Sequence, residues 1–183
     1  MGMAATIPYY TVEDLEQFPD DGNRYELLDG VLLVTPAPGV RHELVVSRIV
    51  AILVSALQIP GHALVFGRGA VSLPPRTQLE PDVLVVGARM PRTDKWADIS
   101  ERWLAVEVFS RSSRVYDREF KRDAYLALGV SEVWLVDKED RSVEVSRERG
   151  RTETVRDVID WRVPTLDLVV QVGLREVFVD LDG

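Results

Sequence analysis

Two acidic residues stand in segments whose other residues are those of buried β-strands. Asp82 precedes the apolar run Val83 to Val86, and Glu107 lies inside Leu104-Ala105-Val106-Glu107-Val108. A carboxylate rarely occupies such a setting without a partner, because desolvation penalises its charged form. If the two strands are neighbours, the side chains converge, and a close carboxylate pair either shares a proton or holds a cation. The chain has no cysteine and only two histidines, His42 and His62. That excludes a disulfide framework, a thiolate zinc site and a cysteine nucleophile. Any metal must then be held mainly by oxygen, which favours magnesium, manganese or calcium over zinc. Lys121 lies in a helical segment just after the second acidic strand, close enough for a long side chain to reach back. Two acids and a lysine are the parts needed to hold a magnesium ion and to orient a water for attack on phosphorus. The acids would ligate the metal, and the ammonium would steady the nucleophile or the developing charge.

These residues depend on a framework that is also legible. Thr11 followed by Val12-Glu13-Asp14-Leu15-Glu16 predicts a short capped helix that stops before Pro19. Tyr25-Glu26-Leu27-Leu28, Asp29-Gly30 and Val31-Leu32-Leu33-Val34 predict a hairpin with a type I′ turn. Val45, Ile49, Leu53 and Leu57 recur at helical spacing, so the main core helix should run from about Arg41 to Leu57 and face a sheet. Ala63 to Phe66 and Ala70 to Leu73 read as strand broken at Gly67 and Gly69, and Asp82 to Val86 as the next strand. Met90 to Glu101 reads as a loop with a helical turn. Trp103 to Phe109 is then a central strand, with Leu104, Val106 and Val108 on one face and Ala105, Glu107 and Phe109 on the other.

Val115 to Leu128 predicts a second long helix with Tyr116, Phe120, Ala124 and Leu128 in one stripe and Gly129 as its stop. On its other face Lys121 has Asp117 and Tyr125 one turn away on either side. Ser131 to Asp137 reads as a buried strand, and Val143 to Ser146 with Thr152 to Val155 as a solvent-facing hairpin. Leu168 to Val172 and Leu174 to Val179 are expected as closing strands. Strands mixed with two long helices imply an α/β chain of the α+β type, a mixed sheet flanked by helices.

Composition sets the outer bounds. With 183 residues, 46% of them hydrophobic, one domain can bury roughly 70% of its unfolded surface, and no second domain is required. A formal charge of -8 argues against a wholly basic nucleic-acid-binding surface but leaves room for a local strip. Arg111, Arg114, Arg118, Lys121 and Arg122, with Arg41 and Arg48 on the other helix, could form one. No apolar stretch is long enough to span a membrane and the first residues lack signal-peptide character, so a soluble, cytoplasmic protein is expected. The match of Gly2 and Thr6 to the short myristoylation pattern lacks a polybasic second anchor and is taken as chance.

The ordered series Pro81-Asp82, Glu107 and Lys121 resembles the PD-(D/E)XK restriction-endonuclease-like superfamily. The chain is further similar to its Uma-type bacterial branch of predicted endonucleases. That likeness rests on Arg24-Tyr25-Glu26-Leu27 before the Asp29-Gly30 turn, Arg41-His42, Glu107-Val108-Phe109-Ser110, Ser112-Ser113 with Asp117 and Lys121, and Val133-Trp134-Leu135-Val136-Asp137. The resemblance implies a restriction-endonuclease-like domain over residues 1–183, with its core at about 24–137 and a C-terminal hairpin and strands at 141–183. It implies a divalent-metal-dependent nuclease using Mg²⁺ or Mn²⁺ to hydrolyse phosphodiester bonds of nucleic acid, DNA before RNA, through a metal-activated water. Asp82, Glu107 and the Val108 carbonyl would ligate the metal, and Glu26 would supply an outer or second-metal carboxylate. His42 would contact the phosphate or the activated water, and Lys121 would position that water. The superfamily's usual lysine two positions after the acid is Phe109 here, so Lys121 must serve in its place.

Each residue also has a plainer reading. Asp82 and Glu107 could be structural ion-pair partners, and Lys121 could pair only with Asp117. Glu26 on a hairpin reads as solvent-facing, and His42 at a helix start as a capping or surface residue. Tyr125 reads as core packing with its hydroxyl satisfied at the site. Two further functions compete: a nuclease-like module that binds nucleic acid or a protein partner without turnover, and a glycosidase using the two acids. The glycosidase lacks exposed aromatics for stacking sugars. A homodimer could form if the hairpin near Val143 and the C-terminal strand paired across a two-fold axis.

Overall fold

The computed structural model describes residues 9–109 and 120–181. Twelve strands form three sheets among these residues. A six-stranded sheet has the order β10-β9-β8-β7-β6-β3, and a four-stranded sheet the order β2-β1-β5-β4. The remaining pair is β11-β12.

The N-terminal hairpin follows its local chemistry. β1 (Arg24–Leu28) and β2 (Val31–Thr35) pair from Arg24 with Thr35 to Leu28 with Val31. Asp29 and Gly30 both take positive φ, 52° and 83°, as a type I′ turn requires. Upstream, Thr11 and Asp14 close a capping box on a 3₁₀ helix, Val12–Gln17. Helix α1 (Val40–Leu53) continues into a π-helical turn, Val54–Gln58, and buries Val45, Val46, Ile49, Leu53 and Leu57.

The two glycines after Phe66 mark a change of sheet. β3 (Ala63–Gly67) pairs with β6 (Val83–Gly87) in the large sheet, whereas β4 (Val71–Leu73) pairs with β5 (Thr77–Leu79) in the small one. Sequence periodicity gives no sign of β5, a three-residue strand between two proline-containing stretches. β7 (Arg102–Val108) lies between β6, antiparallel to it, and β8 (Glu132–Asp137), parallel to it. Its alternation is as expected: Leu104, Val106 and Val108 enter one core, and Ala105 and Phe109 the other.

The segment before β8 departs from the expected stripe. Helix α2 (Arg122–Ala127) follows a π-type turn at Phe120 and Lys121. Phe120 is 51% exposed, and the inward-facing residues are Lys121 and Tyr125. Tyr116, Asp117 and the serines and arginines at 110–118 lie outside the described residues. The chain leaves α2 through Gly129 at φ 83°, and the Val130 N–H donates to the Tyr125 carbonyl, closing the last turn.

β9 (Ser142–Glu148) is largely buried beside β8, so only β10 (Arg151–Val155) of the expected solvent-facing hairpin is exposed. β11 (Val158–Arg162) alternates exposed and buried residues and pairs with β12 (Val169–Gly173), burying Ile159 and Trp161. Leu174 to Val179 is not a strand. Leu174–Val177 forms α3, and Leu174, Val177, Phe178 and Leu181 are buried at helical spacing. Of the two expected closing strands, the one at Leu168 to Val172 therefore forms, as β12, and the one at Leu174 to Val179 does not. Among the described residues no helix is long and apolar enough to cross a membrane.

Candidate active site

The register brings the two acids together. Val83 stands opposite Val106, so one further step along the antiparallel pair sets Asp82 opposite Glu107, with both side chains on the same face. That face is the one carrying Ala105 and Phe109, and its apolar packing ends here in a polar cluster. Asp82 and Glu107 are each 3% exposed, Lys121 is 4% and Glu26 is 0%. Glu26 and His42 are thus buried, against their plain readings as surface residues.

Two hydrogen-bonded groups make up the cluster. In the first, Asp82 accepts from Arg24 Nη2 on Oδ1 at 2.9 Å and from the Val108 N–H on Oδ2 at 2.8 Å, and His42 Nε2 lies 3.1 Å from Oδ2. Arg24 also donates through Nη1 to the Glu80 carbonyl at 2.9 Å. Burial raises the Asp82 pKa, but the His42 hydrogen bond, the Arg24 charge and the Val108 N–H outweigh it and hold the carboxyl at about 2. Burial likewise works against the Arg24 charge, and Asp82, Glu107 and Glu26 more than offset it, leaving the guanidinium more firmly protonated than usual.

In the second group, Lys121 Nζ sits 2.8 Å from Glu26 Oε2 and 3.2 Å from Glu107 Oε1. The Tyr125 hydroxyl donates to that same Oε1 at 2.6 Å. Burial, then the charge of Glu107, pushes the Tyr125 pKa well above the phenolic range, so the hydroxyl keeps its proton. Glu26 Oε1 accepts from the Glu80 N–H at 2.7 Å, which ties β1 to the approach of β6. Lysine therefore does reach the acids from one helix away, and the carboxylate it shares with Glu107 is Glu26. Asp82 is served by Arg24 and His42.

A cavity of about 360 Å³ opens onto Asp82, Glu107, Val108 and Lys121, walled by Arg24, His42, Lys138 and the 35–41 segment. The Phe109 N–H bonds the Val136 carbonyl on the β8 side. The N–H and C=O of Val108 therefore face the other edge, toward Asp82. Two carboxylates and one carbonyl are hard oxygen donors of the kind magnesium and manganese take, and magnesium needs only one or two carboxylates because it keeps several waters. The donor set fits such an ion. Among the described residues no group of three or more histidines and acids is arranged as a metal cluster.

Arg24 and Lys138 are the site residues that sequence reasoning passed over. Arg24 had a signal: alternation puts it on the same strand face as Glu26, two residues on. Lys138, whose Nζ donates to the Phe109 carbonyl at 2.9 Å, had none, since it follows the end of a strand. The expected cationic strip is only partly assembled. Arg41 lines the cavity, Lys121 is buried, Arg122 pairs with Asp123 at 2.7 Å, and Arg48 bonds the Val177 and Val179 carbonyls beside α3. Arg111, Arg114 and Arg118 lie outside the described residues.

Comparison with known proteins bears on the fold and on ancestry. The fold is similar to a crystal structure from Anabaena variabilis described as "a putative nuclease belonging to DUF820". The TM-score is 0.76 at 19% identity, covering 92% of this chain and 97% of that one. No curated protein matches the chain. The model of the Uma2 family, described as "Putative restriction endonuclease", matches residues 12–176. With a restriction-endonuclease-like core around Asp82, Glu107 and Lys121, the chain belongs to the Uma2 family.

Proposed function

We propose that this protein is a divalent-metal-dependent nuclease that hydrolyses phosphodiester bonds of DNA. One observation carries the reading: a buried lysine joins two carboxylates, Glu26 and Glu107, beside a third, Asp82, at the floor of a cavity. Buried carboxylates need a cation for stability alone, but a purely structural pair need not place it on the wall of a cavity shared with a third acid. Family membership and the fold likeness support the same reading.

In this reading Asp82, Glu107 and the Val108 carbonyl hold Mg²⁺ or Mn²⁺. When bound, that ion supplies Lewis-acid polarisation of phosphoryl oxygens and raises the acidity of water. The chain's own residues supply position and charge. Glu26 and Glu107 fix the Lys121 ammonium at the cavity wall, where it stabilises the attacking oxygen and the charge that develops on phosphorus. His42 orients Asp82 through Oδ2, and Tyr125 orients Glu107. Glu26 positions Lys121. A homodimer could pair through β10, an exposed edge strand of the large sheet.

A second reading, a binding module without turnover, draws on the fact that both oxygens of Asp82 are already engaged within the chain. Plasmid DNA and structured RNA incubated across a Mg²⁺ and Mn²⁺ titration separate the two. The native chain should cut DNA, and Asp82→Asn, Glu107→Gln and Lys121→Met should each lower the rate by about 10²-fold or more. Ion binding without cleavage of either polymer would establish the module instead.

A further inference from the structure

A second cavity, about 430 Å³, adjoins the first, and Arg24 and the 36–38 segment line both. Its size is that of a small-ligand site. Its chemistry differs from that of the catalytic cavity. Three acids, Glu16, Asp20 and Glu80, face two cations, Arg24 and Arg68, so a phosphate would meet net repulsion away from Arg24.

The rest of the lining suits a flat, neutral, hydrogen-bonding guest. Phe18 and Tyr25 form one wall, stacked on each other with centroids 4.9 Å apart and planes 27° off parallel. Gln78 stands half-buried on β5 and lines the cavity, with no hydrogen bond to its side-chain amide among the described residues. Aromatic rings bind a base through its π-face, and a glutamine amide can pair with a base edge. Bases in a duplex are stacked and cannot enter such a pocket, so the guest must be unpaired or turned out of the helix.

We propose that this second cavity is a subsite for one unpaired nucleobase of the strand being cut, the backbone crossing from the catalytic cavity over Arg24. The proposal rests on the nuclease reading. It makes single-stranded or locally opened nucleic acid the preferred substrate. Base preference is set at a single position, a fixed number of nucleotides from the scissile bond.

The test uses the full chain with Ca²⁺ in place of Mg²⁺ and a set of fluorescein-labelled single-stranded oligonucleotides, each with one abasic nucleotide at a different position. Binding is followed by anisotropy. Phe18→Leu, which keeps apolar bulk under Tyr25, and Gln78→Ala are compared with the native chain after circular dichroism shows both folded. An abasic nucleotide at one position should weaken native binding roughly tenfold and have little further effect in Phe18→Leu. Gln78→Ala should flatten the preference among the four bases at that position alone. If the oligonucleotides bind but abasic substitution is neutral everywhere, or weakens native and variant chains equally, the subsite is overturned while the nuclease reading stands. If the native chain binds no single-stranded oligonucleotide yet cuts plasmid DNA, the subsite alone is overturned; if it neither binds nor cuts, both readings fall.

Discussion

The two faces of the six-stranded sheet are made from alternate residues of the same strands and are stabilised in opposite ways. On one, Leu104, Val106 and Val108 of β7 join Trp134 of β8, α1 and the β11-β12 pair in an apolar core, at whose margin the buried Glu132 accepts from Trp134 Nε1 at 2.6 Å and pairs with Arg147. Trp134 and Trp161 meet edge to face there at 5.8 Å. The Trp161 Nε1 is buried without a hydrogen-bond partner among the described residues. On the other, Ala105 and Phe109 lie in apolar packing, but Glu107 between them enters a buried hydrogen-bonded set with Lys121, Glu26 and Tyr125. The first face gains most of its stability from buried area and tolerates an orphaned N–H. The second must satisfy each charge by hydrogen bonds, since desolvating an ion pair often costs more than the pair returns. Under the proposed function, a cluster that stability alone would replace with leucines is retained for its chemistry.

Lys121→Met should produce the largest effect. It leaves Glu26 and Glu107 buried without their shared cation, which costs about 3–5 kcal/mol in urea unfolding and abolishes cleavage. Changing both acids to glutamine in the same background should restore most of the stability and none of the activity. A loss under about 1 kcal/mol would mean that water reaches the acids and that the contrast between faces is weaker than drawn.

Trp161→Ala probes the opposite face. Its side chain is fully buried, and truncation should cost about 3–4 kcal/mol. Divalent-ion binding and cleavage below the lowered melting temperature should stay at native levels, because the cavity lies across the sheet. Loss of ion binding in this variant would show that the two faces are coupled through β7.

The contrast also separates what was legible in the sequence from what was not. Alternation along β7 and the Asp29-Gly30 turn are local, short-range signals, so strand faces and hairpin register could be read directly. Asp82 and Glu107 stood out as charges out of place in apolar runs, and Lys121 by its place in the helical segment after the second acid. Arg24 escaped because a charged residue at the start of an exposed-looking hairpin is ordinary until β5 and β6 cover it. The helix at Leu174 was mistaken for a strand although its buried residues fall at helical spacing, because a four-residue helix takes its shape from packing on α1 and β12 more than from propensity. β5 is three residues long and held by β1 and β4, and a ladder of that length leaves no periodic trace.

Acid should act through the charged face. The Asp82 pKa, about 2 in the fold against 3.8 for the ordinary side chain, is lowered on folding. Its contribution is therefore complete above the unfolded value and lost as pH falls through the folded one. The shift corresponds to about 2 kcal/mol. Between pH 5 and pH 2 the native chain should lose about that much more stability than Asp82→Asn, measured as the fall in urea midpoint. Equal acid sensitivity in the two proteins would mean that Arg24 and His42 do not hold the charge of Asp82.

The smallest effect belongs to Tyr125→Phe, and it tests how completely the charged face is closed. The hydroxyl donates to Glu107 Oε1 at 2.6 Å, and Lys121 contacts the same oxygen at 3.2 Å. A hydrogen bond to a charged group contributes about 1.5–3 kcal/mol, and the upper part of that range reflects leaving the partner unsatisfied. Because Lys121 still covers that oxygen, the loss should sit near 1.5 kcal/mol. A loss beyond 3 kcal/mol would mean that the lysine alone cannot hold Glu107 in place and that the phenol positions the acid. In that case the cleavage rate should fall with stability, and a divalent-ion titration should show weaker binding. With the lysine sufficient, ion affinity stays at the native value and only the urea midpoint moves.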